Sequence, residues 1–346
     1  MSRKSILSLP PAKFRLSDLS VMALVLSAGA ALMPTIARGD IYATSYPSGT
    51  VGEYTTSGTT VNPTLISGLN YPYGIAASGS DLFVANYGHD GTGSTVGEYT
   101  TSGATVNPSF ISGLTAPFAI TVSGSDLFVA NETINNSWIS EYTTSGAIVN
   151  PVLISGLSYP FAMVVSGPDI FVANQYTGVL GPGSISEYTT DGATVNASLV
   201  SGLSEPNGLA VSGSDLYVAN GDYSDSSGGS IGEYTLGSSP GTISSSIPLL
   251  VSGLNEPIAL TMSGSDLFVA NYLGNTIGEY TTSGTTVNAS LVSGLNDPNG
   301  IVVVDVPESA MGSLLLVGCA AVLIRRRTGN VRKAVHNPAE DMARMV

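Results

Sequence analysis

Six prolines, Pro72, Pro117, Pro160, Pro206, Pro257 and Pro298, recur at matching places in a chain of 346 residues, and the residues beside them could do chemistry. The first three are flanked by Tyr71 and Tyr73, Ala116 and Phe118, and Tyr159 and Phe161. The other three are flanked by Glu205 and Asn207, Glu256 and Ile258, and Asp297 and Asn299. One set is aromatic, the other acidic and amide-bearing. Aromatic rings stack on the apolar faces of sugars, while amides and carboxylates bond the hydroxyls at the sugar's edges. Tyr71, Tyr73, Phe118, Tyr159, Phe161, Asn207 and Asn299 are therefore candidate ligand-binding residues. Crowded carboxylates also suit Ca²⁺, with Glu205, Asp222, Asp225, Glu256 and Asp297 as candidate metal ligands. Two plainer roles compete. The rings could fill space between structural units, and the acids could be solvated loop charges.

Catalysis has thin support. The single cysteine, Cys319, rules out a disulfide framework and a Cys-based zinc site. No Ser-His-Asp arrangement stands out between 40 and 305. His89 lies beside Asp90 without an evident nucleophile, so no catalytic residue is assigned. Trp138, the only tryptophan, is either a ligand platform or a packing wedge.

The charge distribution narrows the partners. All 11 Lys and Arg residues lie before residue 40 or after residue 324. The stretch between carries 21 Asp and Glu and no cation. Nucleic-acid binding needs clustered Lys and Arg against phosphate, so it is excluded. No Lys or Arg salt bridge can form in this region. Each carboxylate there must face water, accept N–H bonds or meet a bound cation.

A repeat positions these residues. Gly-Leu pairs begin at Gly68, Gly113, Gly156, Gly202, Gly253 and Gly294. Each unit then reads Pro, a β-rich stretch, a Ser-Gly turn, Asp-Leu-Phe-Val-Ala-Asn, a loop, Gly-Glu-Tyr-Thr-Thr and an aliphatic run. Short β-branched runs punctuated by Gly turns predict four strands, A to D, per unit. Four strands in 40–50 residues describe a β-propeller blade. Full blades are expected at 70–114, 115–157, 158–203, 204–254 and 255–295. Residues 40–69 supply strands B to D of a sixth, and 296–305 supply its strand A. Such a ring leaves no open sheet edge between its first and last blades. From Pro to the Asn after strand B the spacing is constant, whereas the B–C loops vary. Those loops and the D-to-A connections share one face, around the channel mouth, and variable loops on a rigid frame are where binding concentrates. The recurring Asp residues (Asp81 and its equivalents) are expected to bond turn backbone, and the strand-C tyrosines to pack between blades.

The ends read as addresses. Basic residues, an apolar run Val21–Leu32 and Ala37-Arg38-Gly39 make 1–39 a secretory signal peptide. Val306-Pro307-Glu308, an apolar run Ala310–Ile324 and Arg325-Arg326-Arg327 form a transmembrane helix with a cytoplasmic basic flank, followed by a tail at 328–346. This three-part constellation over 306–327 resembles the PEP-CTERM sorting signal. The resemblance implies export, processing by an exosortase-type enzyme, and a cell-surface or extracellular destination with at least transient membrane anchoring. The repeat pattern Pro-x-Gly-Ile-Ala…Asp-Leu-Phe-Val-Ala-Asn is similar to NHL and SMP-30-like propellers, commonly six-bladed.

The expected protein is thus all-β: a six-bladed propeller of four-stranded blades. Its expected role is non-catalytic, binding or structural, at extracellular polysaccharide or the cell envelope. Two alternatives stand: a divalent-metal-dependent hydrolase or lactonase of SMP-30-like type, and a platform for a surface protein.

Overall fold

The computed structural model describes residues 39–88, 93–133, 136–176, 181–221 and 228–305. The expected signal peptide, sorting motif (Val306, Pro307, Glu308, Arg325, Arg326 and Arg327), C-terminal helix and tail lie outside these residues, apart from Gly39. So do His89, Asp90, Asp222 and Asp225. Among the described residues no helix is long and apolar enough to cross a membrane.

The described chain is 24 strands in six four-stranded antiparallel sheets. The first blade is β1 (Gly39–Ser45), β2 (Thr50–Thr55) and β3 (Thr60–Ser67), completed by β24 (Pro298–Asp305). The second is β4 (Pro72–Ser78), β5 (Asp81–Asn86), β6 (Thr95–Thr100) and β7 (Thr105–Ser112). The third is β8 (Pro117–Ser123), β9 (Asp126–Asn131), β10 (Ser137–Thr143) and β11 (Ile148–Leu157). The fourth is β12 (Pro160–Ser166), β13 (Asp169–Asn174), β14 (Gly183–Thr189) and β15 (Thr194–Leu203). The fifth is β16 (Pro206–Ser212), β17 (Asp215–Asn220), β18 (Gly229–Leu236) and β19 (Ile243–Leu254). The sixth is β20 (Pro257–Ser263), β21 (Asp266–Asn271), β22 (Thr276–Thr281) and β23 (Thr286–Ser293).

The protein is therefore a six-bladed β-propeller, closed as the repeat predicts. β24 pairs antiparallel with β1, Asp40 opposite Val304 and Ala43 opposite Ile301, so the two ends of the propeller share one sheet. The inner strands β24, β4, β8, β12, β16 and β20 contact one another in sequence around the ring. Residues Arg38–Val306 form one compact unit. Each of its hydrophobic clusters joins two neighbouring blades, so the clusters tie the ring together within residues 39–305.

Each blade buries the same residues for the same reason. Strand B presents an aromatic side chain to the core: Phe83, Phe128, Phe171 and Phe268 are about 1% exposed, with Tyr42 and Tyr217 in the other two blades. The tyrosines of strand C, Tyr54, Tyr99, Tyr142, Tyr188, Tyr234 and Tyr280, are also buried. In four blades the Tyr lies over the glycine two residues before it. A Cβ added at Gly97 would sit 2.6 Å from the Tyr99 hydroxyl oxygen, which is why Gly-Glu-Tyr recurs. In the third and fourth blades Ser140 and Ser186 replace that glycine and hydrogen-bond their tyrosines, Tyr142 and Tyr188. The A–B turns need glycine for a different reason: Gly79, Gly124, Gly167, Gly213 and Gly264 all hold φ near 59°.

One expectation changes. The repeated aspartates are not turn residues: Asp81 opens β5, paired with Ser78, and its equivalents open their own strands. Each acts on the strand-C glutamate diagonally across the pair. Burial first, and the neighbouring aspartate second, raise Glu53, Glu98, Glu141, Glu187, Glu233 and Glu279 above the usual carboxylate range. Six acid pairs without a Lys or Arg partner thus lie toward the end of the blades opposite the prolines.

Candidate functional site

The register of strands A and B builds the channel mouth. Pro72 pairs with Asn86, and each other blade repeats the pairing, with Ser45 in the Asn position of the first. Just beyond it, the amide of the residue after that Asn or Ser donates to the carbonyl of the residue before the proline. The bonds run from Tyr46 to Asp297, Tyr87 to Tyr71, Glu132 to Ala116, Gln175 to Tyr159, Gly221 to Glu205 and Tyr272 to Glu256, at 2.9–3.3 Å. Three side-chain positions therefore meet in every blade: before the proline, after it, and after the strand-B Asn.

The residue before each proline carries a conformational cost. Tyr71, Ala116, Tyr159, Glu205, Glu256 and Asp297 all have φ between 42° and 56°, in the left-handed region. Each costs on the order of 1–2 kcal/mol, which glycine would avoid. The sixfold repetition makes this the way the chain enters strand A.

The aromatic half is continuous. Tyr73 packs on Phe118 (ring centroids 4.4 Å), Tyr46 (5.0 Å) and Tyr87 (5.5 Å). Phe118 reaches Phe161 (5.3 Å) and Tyr87 (5.0 Å), and Tyr46 also meets Tyr71 edge-on at 4.6 Å. Tyr159 stands apart, edge-on to Tyr176 at 5.6 Å. The space-filling role and the wall are thus the same rings: they pack on one another and remain only half-buried. Burial, before any neighbouring charge, lifts the Tyr73 hydroxyl well above its usual range.

The polar half is buried. Asn207 is 1% exposed, Asn299 6% and Glu256 4%. For Glu256 this overturns the reading of a solvated loop charge. The Gln175 amide donates to Asn207 Oδ1 (2.8 Å), and the Tyr176 hydroxyl donates to Glu205 Oε1 (3.3 Å). Among the described residues, both oxygens of Glu256, both amide atoms of Asn299 and the Asn207 Nδ2 have no hydrogen-bond partner. Buried groups of this kind ordinarily meet a partner, water or a ligand. Desolvation, then Glu205, then Asp297, push the Glu256 carboxyl up to about 7. Burial alone does the same to Glu132, which stands beside Tyr73 and Tyr87.

Below the mouth the channel narrows. A cavity of about 90 Å³ beneath Tyr73, Phe118, Phe161, Asn207, Ile258 and Asn299 is floored by Ile75, Ile120, Met163, Leu209, Leu260 and Ile301. A second cavity of about 390 Å³, between the fourth and fifth blades, is lined by Gln175, Tyr176 and Glu205 with Gly181, Gly183 and Gly202.

The structure thus brings together most of the expected ligand-binding residues and adds Tyr46, Tyr87, Glu132, Gln175, Tyr176 and Tyr272. The constant Pro-to-Asn spacing carries a signal for four of them, Tyr87, Glu132, Gln175 and Tyr272, because it implies that the residue after the Asn faces the residue before the proline. Among the described residues, no three His, Cys, Asp or Glu side chains converge as ligands of one metal ion. Glu205, Glu256 and Asp297 share a field without forming a coordination shell. Phe118, Phe161 and Ile258 occupy other positions of the ring, and Asp222 and Asp225 of the expected Ca²⁺ set lie outside the described residues. Trp138 lies on β10 opposite Asn131, with its indole N–H on the Ser140 hydroxyl (3.1 Å).

No protein-family model matches the chain, and no curated relative does. Solved structures match the fold. A propeller in a nidogen/laminin complex superposes with a TM-score of 0.60 at 14% identity, covering 77% of this chain and 98% of that one. A gluconolactonase from Xanthomonas campestris gives 0.52 at 15% identity, covering 75% and 88%. A Bacteroides uniformis protein described as a 6-phosphogluconolactonase candidate gives 0.54 at 13% identity, covering 78% and 100%. The chain is a six-bladed propeller with structural neighbours of the gluconolactonase type, and at these identities the likeness is one of fold.

Proposed function

We propose that this protein is an exported, non-catalytic propeller whose channel mouth binds extracellular polysaccharide. One observation carries the reading: a continuous wall of half-buried rings faces buried amides and a carboxylate without partners among the described residues. Sugars satisfy both walls at once, stacking on one and hydrogen-bonding the other. The terminal segments support an address at the cell surface through their signal-peptide and sorting-signal patterns, with an exosortase-type enzyme as processing partner.

Affinity electrophoresis of the 39–305 propeller through polysaccharide gels tests this. Tyr73→Ala and Phe161→Ala should each weaken retention by about tenfold, the scale of one lost stacking contact with its buried area. Unchanged retention in both variants contradicts the reading.

A hydrolase is the second reading. In its favour are the gluconolactonase-type fold neighbours and the carboxyls of Glu132 and Glu256, both at about 7, where acid–base groups work. Lactone hydrolysis by the propeller, abolished in Glu256→Gln, would put this reading first.

A further inference from the structure

The polar wall is charged, and that restricts what it binds. Resting on the carbohydrate reading, we propose that the mouth selects glycans bearing free ammonium groups, amino sugars without their N-acetyl caps, and that the Glu256 carboxylate with Asn299 Oδ1 receives the ammonium. Glu256 is buried, and neither of its oxygens meets a described partner. Asn299 and Asn207 line the channel directly below the mouth and are equally enclosed; Asn299 Oδ1 is an unmatched acceptor, and the Nδ2 groups of both are unmatched donors for the hydroxyl oxygens of a sugar. Glu205 and Asp297 lie within electrostatic reach of Glu256, as does the Tyr272 hydroxyl. No Lys or Arg exists anywhere in 40–305 to neutralise them.

A neutral sugar would bond these oxygens while favouring the protonated, uncharged carboxyl, and so would forgo a charge-assisted contact. An anionic glycan, carrying uronate, sulfate or phosphate, would add repulsion to a region of 21 acids. A metal ion would compensate the charge, but the described carboxylates do not converge on one point. An ammonium group is larger and donates three hydrogen bonds in different directions, which suits the two Glu256 oxygens and Asn299 Oδ1, all three buried and without described partners. Its sugar ring would remain beside the aromatic wall, where rings also attract cations. The Glu256 carboxyl, held at about 7 by burial and its acidic neighbours, would ionise fully against such a partner.

The test is calorimetric titration of the 39–305 propeller with three probes at one ionic strength: glucosamine tetramer, N-acetylglucosamine tetramer and tetralysine. The amines must be protonated at the chosen pH. The glucosamine tetramer should bind about tenfold or more tighter than its acetylated counterpart, the scale of a charge-assisted hydrogen bond. Glu256→Gln should erase that preference, bringing the two tetramers to equal affinity. Asp81→Asn, an equal loss of charge at the opposite end of a blade, should keep the preference. Equal affinity for the two sugars overturns the proposal while the carbohydrate reading stands. An equal loss in Asp81→Asn, or tetralysine binding as tightly as the glucosamine tetramer, also overturns it, because a diffuse negative field then explains everything. Stoichiometric displacement of the glucosamine tetramer by Ca²⁺ but not by Mg²⁺ overturns it in favour of a metal. If neither sugar binds, the carbohydrate reading fails and this proposal with it.

Discussion

Acidifying the propeller from pH 8 to pH 5 should raise its melting temperature by about 10 °C, the reverse of ordinary acid destabilisation. The sign follows from the raised carboxyls. Glu132 and Glu256 titrate near 7 in the folded protein, against 4.5 for the free side chain. Between those values the folded state holds protons that the unfolded state has released. Stability is therefore lost as pH rises through this window, and the penalty is complete above about 7. For Glu256, 4% exposed, the difference corresponds to roughly 3 kcal/mol. Glu132, raised to about the same value by burial, acts in the same direction. The six strand-C glutamates act in the same direction, each raised by burial and by its strand-B aspartate. Scanning calorimetry at several pH values measures the effect. Glu256→Gln should raise the melting temperature at pH 8 and flatten the pH dependence. A melting temperature that falls on acidification from 8 to 5 contradicts the assignment.

Removing β24 should abolish cooperative melting altogether. Truncation after Asn296 deletes the strand that pairs with β1 from Gly39 to Ser45 and the inner-ring position between β20 and β4. Ile301, 7% exposed, leaves a core that it shares with Ile41, Ile258, Phe268 and Ile277. The first blade keeps three strands and presents β1 as a new edge on the channel side, which invites association with other chains. A single large-to-small change in a core costs about 2–5 kcal/mol, and this truncation removes several such side chains together with a strand's hydrogen bonds. Circular dichroism melts and light scattering would show a broad transition and aggregates. A sharp transition within a few degrees of the intact propeller would mean that closure by the two ends contributes little.

How much of this could be read from residues alone varies with the kind of signal. The six blades and their shared closure were legible because Gly-Leu, Pro and the strand-B Asn recur at spacings that only a repeated antiparallel sheet maintains. The two-sided mouth was legible in Tyr73, Phe161, Asn207 and Asn299 because the residues flanking each proline vary while the frame does not. Tyr46, Tyr87 and Glu132 are harder to read: they follow the strand-B Asn, or Ser45 in the first blade, where the units look like irregular loop, and the cross-strand register sets them opposite Asp297, Tyr71 and Ala116. The burial of Glu256 was hidden for a related reason. An acid beside a proline reads as solvated, and its enclosure depends on neighbouring blades rather than its own. The aspartates of strand B were assigned to turns because Ser-Gly-Ser-Asp resembles turn sequence, whereas the two-residue turn closes one position earlier, placing Asp81 opposite Ser78. The sorting and signal segments rest on their sequence patterns.

The central claim is that the channel mouth is where this protein meets its ligand. Chemical-shift mapping of an isotope-labelled 39–305 propeller, titrated with glucosamine and N-acetylglucosamine tetramers, locates binding directly. The account predicts shifts concentrated at Tyr46, Tyr73, Phe118, Phe161, Asn207, Glu256 and Asn299, with the strands of the outer rim unmoved. Shifts confined to the rim strands β3, β7, β11, β15, β19 and β23, or to the acid pairs around Asp81 and Glu98, would contradict it.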